Sequence, residues 1–187
     1  MEDRQKAEYK KKYPLLRLDL ESEIHHGIRV SNLAYLVARE LGMAEDACYQ
    51  MAVAGMVHDI GKLRLEAYLT HHEGETLTIE EMKYVRWHAG IGADFLLNQG
   101  YDPEIAEIVR HHHENCDGSG YPDNLSREAI PFGARILRVC DVYAALTSDR
   151  PYRKAFDTDT AMDLMIEEAK YYDLKVFLAF QRVIHSR

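Results

Sequence analysis

Cysteine is scarce in this 187-residue chain, with three residues, Cys48, Cys116 and Cys140, and no CxxC pair. That excludes a disulfide framework and a thiolate cage around a metal. Cys48 and Cys140 fall in apolar helical stretches, the setting of buried free thiols, and a reducing cytoplasm is the expected compartment. Positive charge is also in deficit: 23 Lys and Arg against 31 Asp and Glu leave a formal charge of −8, which excludes a broad electrostatic footprint for duplex nucleic acid. A local basic pocket for a phosphorylated small molecule remains compatible with that balance. No apolar run approaches the roughly 18 residues of a membrane span, and the N-terminus lacks the apolar core of a signal peptide, so a soluble, unexported protein is expected. Strand alternation, internal repeats and low-complexity segments are lacking as well.

With 47% apolar residues, the chain is long enough for one well-buried core and short for two. Residues 1–12 are dominated by Lys, Glu, Asp and Arg and read as a charged, solvated arm ahead of one domain over 13–187. Apolar spacing from Tyr13 onward is helical, as in Ile28, Leu33, Leu36, Val37 and Leu41, with Gly42 placed to end that helix. Thr78 with Glu81 forms a capping-box pattern ahead of a helix running through Leu97, Asp102-Pro103 starts another, and Thr158 is read as the cap of a segment ending near Lys170. The expected fold class is all-α, a single helical bundle of about seven to nine helices.

Two adjacent imidazoles, His112-His113, lead straight into the glycine-rich run Glu114-Asn115-Cys116-Asp117-Gly118-Ser119-Gly120-Tyr121-Pro122. Upstream, His58-Asp59 follows the apolar segment Met51 to Val57 and precedes Gly61-Lys62, while Asp141 sits within the largely apolar run Ile136 to Leu146. An ionisable pair at the end of a core helix is costly to bury without a partner, and a metal supplies one. Imidazole and carboxylate donors suit manganese, iron or zinc. His71, His72 and His185 lack such a context and read as structural or solvent-facing groups.

These motifs, in this order, resemble the HD superfamily of metal-dependent phosphohydrolases and, within it, the HD-GYP family of cyclic di-GMP phosphodiesterases. The resemblance runs from His26-Gly27-Ile28-Arg29-Val30 through His58-Asp59-Ile60-Gly61-Lys62, His88 and the His112 to Pro122 run. It continues over Ala134-Arg135-Ile136 and Asp141 to Leu146-Thr147-Ser148-Asp149-Arg150-Pro151-Tyr152-Arg153. It implies an HD-type bundle with His26, His58, Asp59 and Asp141 around one ion, and His88, His112 and His113 completing the shell of a second, with Asp59 bridging. Two divalent ions, iron or manganese, would then present a hydroxide for in-line attack on a phosphodiester. The family pattern uses the neighbours of His25 and His111 rather than these two residues.

By the same resemblance Lys62 lies near the substrate phosphate, Arg150 and Arg153 bind and orient it, and Tyr121 flanks it or packs the loop. Asp117 reads as a cap for its own turn. The implied reaction converts cyclic di-GMP to linear pGpG and onward to GMP. The alternatives are another cyclic dinucleotide or a nucleotide as substrate, or a weakened receptor that binds without turnover. No fused input segment is expected, and a protein partner or a homodimer is left open.

Two departures from the family pattern stand out, at Ala144 and over Leu63 to Gly74, and Ser22 sets the expected number of metals at two. Ala144 stands where an aspartate usually follows the metal-binding one by a helical turn. Ser22 stands where some members carry a glutamate for a third ion, with Glu21 and Glu23 beside it. Leu63 to Gly74 lacks the usual proline and lysine, a change expected to reshape the pocket edge and its base specificity.

Overall fold

The computed structural model describes residues 20–69, 85–149 and 153–186, and these form eight α-helices joined by turns. They are α1 (Leu20–Glu40), α2 (Glu45–Val57), α3 (Gly61–Leu69), α4 (His88–Asn98), α5 (Pro103–His111), α6 (Phe132–Leu146), α7 (Thr158–Glu167) and α8 (Leu174–His185), with short 3-10 turns at Arg127–Ala129 and Ala169–Tyr171. The N-terminal arm, the Thr78 and Glu81 pair, His71, His72 and Arg150 lie outside the described residues. Among the described residues no helix is long and apolar enough to cross a membrane.

The core forms around α6, which packs against α1, α2, α5, α7 and α8. Its residues Ala134, Ile136, Leu137, Val139, Cys140 and Ala144 are buried, so nearly every face of the helix is covered. A helix buried over most of its circumference belongs at the centre of a bundle, and Asp141 is carried into the interior with it. The partner helices contribute one stripe each: Val30, Leu33, Ala34 and Val37 from α1, and Val176, Phe177, Ala179, Phe180 and Val183 from α8. Cys48 and Cys140 are buried free thiols, while Cys116 is partly exposed.

Local signals account for several helix ends. Asp102 caps α5 by accepting from the Glu104 amide, with Pro103 in the first turn, and α1 gives way to a turn at Gly42. Two readings need correction. The cap of α7 is Asp157, not Thr158: its carboxylate reaches the Thr160 amide and places a negative charge at the helix N-terminus. The helix read as continuous through Leu97 is interrupted by a turn at Trp87, beside which the His88 ring bonds the Val85 carbonyl.

Gly61 permits the approach of α3 to α4. A Cβ there would collide with the His88 carbonyl and crowd the Gly92 amide, so the first turns of the two helices touch through backbone. Gly61→Ala is expected to destabilise the protein by about 1–3 kcal/mol, read as a lower urea midpoint. Because His88 must shift, weaker metal retention should accompany the loss of stability; an unchanged midpoint and metal content would contradict this packing.

Candidate metal centre

The imidazoles of the centre stand mainly at helix ends, where the backbone itself orients them. His58 follows the last residue of α2, His112 follows the last residue of α5, and His88 opens α4. Each ring uses Nδ1 on the carbonyl three residues earlier: His58 on Gly55 at 2.8 Å, His88 on Val85 at 2.5 Å and His112 on Val109 at 2.6 Å. For His58 and His112 that carbonyl belongs to the last turn of a helix, where backbone acceptors lack intrahelical partners. The bond fixes the tautomer and turns Nε2 inward, the arrangement of metal-binding histidines. His26 enters from the middle of α1 and Asp141 from α6.

These inward atoms converge. His26, His58 and Asp59 form one group, Asp59, His88, His112 and His113 a second, and His58, His112 and Asp141 a third, the ligand atoms within each lying within 4.8 Å of one another. Asp59 divides its oxygens: Oδ2 lies 3.2 Å from His58 Nε2 and 4.0 Å from His26 Nε2, whereas Oδ1 lies 3.2 Å from His88 Nε2. Asp141 Oδ1 meets His26 Nε2 at 2.9 Å and lies 3.6 Å from His58 Nε2. On the far side His88 Nε2 is 3.2 Å from His113 Nε2 and 3.5 Å from His112 Nε2. Nitrogens sharing a cation at bond lengths of about 2.0–2.1 Å stand roughly 3 Å apart.

The donor chemistry fits divalent cations. Buried His58 Nε2, Asp59 Oδ1 and His26 Nδ1 make no hydrogen bond, although buried polar atoms are normally satisfied. Imidazole and carboxylate without thiolate suit iron, manganese or zinc. All seven residues singled out as ligands, His26, His58, Asp59, His88, His112, His113 and Asp141, meet in this cluster.

Before a cation binds, burial opposes charge on His58, yet the Asp59 and Asp141 carboxylates outweigh it and carry the pKa up to about 10. Burial likewise opposes ionisation of the two carboxyls, but Asp59, facing His58 and Lys62, and Asp141, facing His26 and His58, are held well below the ordinary carboxylate range. Burial drives His112 and His113 the other way, His113 down to about 3. The two adjacent rings are thus neutral and available as donors.

Lys62 is held by carboxylates on two sides, with Nζ 2.6 Å from Asp59 Oδ2 and 3.3 Å from Glu23 Oε2. Sequence reasoning noted Glu23 only as a neighbour of Ser22; its position one turn before His26 on α1 was the available signal. Glu114 was also missed. It is 2% exposed, and its carboxylate accepts from the Asp123 and Leu125 amides, pinning the glycine loop behind the paired histidines. Within that loop Asp117 accepts from the Ser119 amide and hydroxyl, and the Tyr121–Pro122 peptide is cis. At Gly120 a Cβ would strike the backbone of His113, Glu114 and Asn115. The loop thus lies directly against its own origin, and the Tyr121 ring packs 4.8 Å from the His113 ring.

Other singled-out residues lie apart from the cluster or have other partners. Arg153 donates to the carbonyls of Ala145, Leu146 and Lys154, so its fork closes the C-terminal end of α6, where a cation is favoured. His111 is buried and bonded to Asp123, tying α5 to the loop, while His25 is exposed. Ala144 is fully buried, making the position one turn beyond Asp141 apolar.

An all-helical bundle that brings a helix-end His-Asp pair together with histidines from three other helices and an aspartate from its central helix defines an HD domain. Residues 11–176 match the HD domain family, and the chain belongs to it. It is 36% identical over 173 residues to cyclic di-GMP phosphodiesterase PA4108 of Pseudomonas aeruginosa, covering 91% of this chain and 42% of that protein. It is 34% identical over 143 residues to 3'3'-cGAMP-specific phosphodiesterase 1 of Vibrio cholerae, covering 76% of this chain and 33% of that protein. The chain spans less than half the length of either relative. Among solved structures, Bd1817, a HDG"Y"P protein from Bdellovibrio bacteriovorus, shares the fold, with a TM-score of 0.68 at 20% identity over 87% of this chain and 52% of that one.

Two outcomes follow from the shared carboxylate and the charged imidazole. Asp59→Asn should lower the manganese retained by the chain at least about twofold, because both sets of imidazoles lose their anionic partner; unchanged retention would contradict the sharing of Asp59. The second concerns pH. The raised pKa of His58 makes its contribution to metal-free stability full below the unfolded value of 6.5 and lost as pH rises through about 10. A cation taking Nε2 displaces that proton, so apparent manganese affinity should rise up to about tenfold per pH unit between about pH 7 and about pH 9. A chelator-competition titration that stays flat over this range would contradict the assignment.

Proposed function

We propose that this chain is a binuclear phosphodiesterase that hydrolyses cyclic di-GMP to linear pGpG and onward to GMP. The carrying observation is Asp59, whose two oxygens face two separate sets of imidazoles. Iron or manganese is the proposed pair, and when bound it supplies Lewis-acid polarisation of the phosphodiester and activation of the attacking water. The protein's own part is to hold the donors in place through the helix-end carbonyls and to exclude bulk water with the bundle core.

Lys62 is assigned to the phosphate. Its ammonium is kept charged, since Asp59 and Glu23 raise its pKa despite burial, and a compact cation there offsets negative charge as the phosphorus is attacked. Arg150 and Arg153 are assigned to binding and orienting the substrate, with the reach of Arg153 limited by its carbonyl partners. Tyr121, tilted against the His113 ring, is assigned to the mouth of the site.

A second reading, hydrolysis of a mixed cyclic dinucleotide, has support in the likeness to the 3'3'-cGAMP-specific enzyme, because metal ligands do not read bases. Metal-loaded protein offered cyclic di-GMP and 3'3'-cGAMP in parallel should convert at least one to its linear form, and His58→Ala should lower turnover at least about 10³-fold. Preference for 3'3'-cGAMP would move the assignment to the second reading. Tight binding of either without turnover would make the domain a receptor, and neither binding nor turnover would sink both readings.

A further inference from the structure

A cyclic dinucleotide carries two phosphodiesters, and a metal pair engages the one under attack. The other is open to a cation of the protein, and the obvious candidates have competing partners. Lys62 is bound by Asp59 and Glu23, and Arg153 by three carbonyls at the end of α6. Arg138 is differently placed. It lies one helical turn before Asp141 on α6, on the same face, and is partly buried. Its Nε donates to Asn115 Oδ1 at 3.0 Å, and Asn115 is two residues beyond His113, where the glycine loop leaves the metal centre.

That tether leaves the two Nη groups on the outer edge of the fork, and among the described residues nothing accepts a hydrogen bond from them. The neighbourhood of the guanidinium is marked by the two phenols it acts on. Burial raises the pKa of both Tyr121 and Tyr172, and the Arg138 charge is the largest influence opposing it at each. Tyr121 packs at a tilt against His113 and receives the Arg86 guanidinium over its ring at 5.2 Å, so the loop side of the centre carries two arginines. The Tyr172 hydroxyl is buried with no hydrogen-bond partner. A fixed guanidinium with open donors, a turn away from a metal-binding carboxylate, matches the geometry of a phosphate oxygen pair.

We propose that Arg138, held in place by Asn115, binds the phosphate of the cyclic dinucleotide that is not attacked and so sets the orientation of the ring at the metal pair. The assignment rests on the phosphodiesterase reading above. It adds a substrate-binding residue that does not lie in the His-Asp, glycine-loop or Arg150–Arg153 motifs.

The test compares Arg138→Lys, Arg138→Gln and Arg138→Ala with Arg182→Ala, which removes the same charge from an exposed pair with Glu40. Three readouts are taken on the manganese-loaded full chain: bound metal and melting temperature, calorimetric affinity for cyclic di-GMP and 3'3'-cGAMP, and KM and kcat separately. The expected result is unchanged metal content, about 10–100-fold weaker binding and a matching rise in KM for Arg138→Ala and Arg138→Gln, partial rescue by Arg138→Lys, and no change for Arg182→Ala. Arg138→Gln keeps a donor for Asn115 while removing the charge, so a Gln variant that binds like the parent while the Lys variant does not would reduce Arg138 to a loop tether and overturn the proposal. Parental protein that binds while Arg138→Ala binds equally well would overturn it alone. Parental protein that binds neither dinucleotide would overturn the phosphodiesterase reading and this assignment with it.

Discussion

The structure depends on one carboxylate serving two sets of imidazoles. Asp59 sits in the turn between α2 and α3, half-buried among His26, His58 and His88, with the Lys62 ammonium on its solvent side. Isolated, such a group would not ionise in an apolar interior; surrounded by donors, it stays charged and organises them. The helix-end carbonyls of Gly55 and Val109 complete the arrangement by fixing which nitrogen of His58 and His112 faces inward. The elements that end the helices are therefore the elements that build the site.

This constraint explains the packing around it. The ligands come from α1, α2, α4, α5 and α6 and their flanking turns, so the centre exists only when these pack together. The backbone contact at Gly61 brings α3 against α4 and seats His88, and central α6 carries Asp141 inward within an apolar face. Glu114 does the same for the glycine loop, holding it by two amides so that Tyr121 rests on His113. Metal binding and folding are thereby coupled: the carboxylates and imidazoles that attract a cation meet only when the helices that carry them pack together.

Much of this was legible in the sequence because it is written in short local motifs. His58-Asp59 after an apolar segment, the paired His112-His113 and the glycine run each break a helical pattern at a chemically expensive point, and Asp141 is the one acidic residue of a largely apolar helix. Residues acting through tertiary partners were not legible. Glu23 matters because Lys62, 39 positions away, reaches it, and Arg138 because Asn115, 23 positions away, accepts from it; the one-turn spacing of Glu23 from His26 is the only local hint, and Arg138 has none. The α7 cap was placed one residue late because Asp157 and Thr158 are both competent caps, and only the side-chain bond to the Thr160 amide separates them.

Anomalous X-ray diffraction from crystals of the manganese-loaded chain tests the shared carboxylate most directly. Two peaks are expected, one within about 2.0–2.3 Å of Asp59 Oδ2 on the His26 and His58 side, the other at a similar distance from Oδ1 on the His88, His112 and His113 side. A single peak, or two peaks of which only one contacts Asp59, would contradict the account.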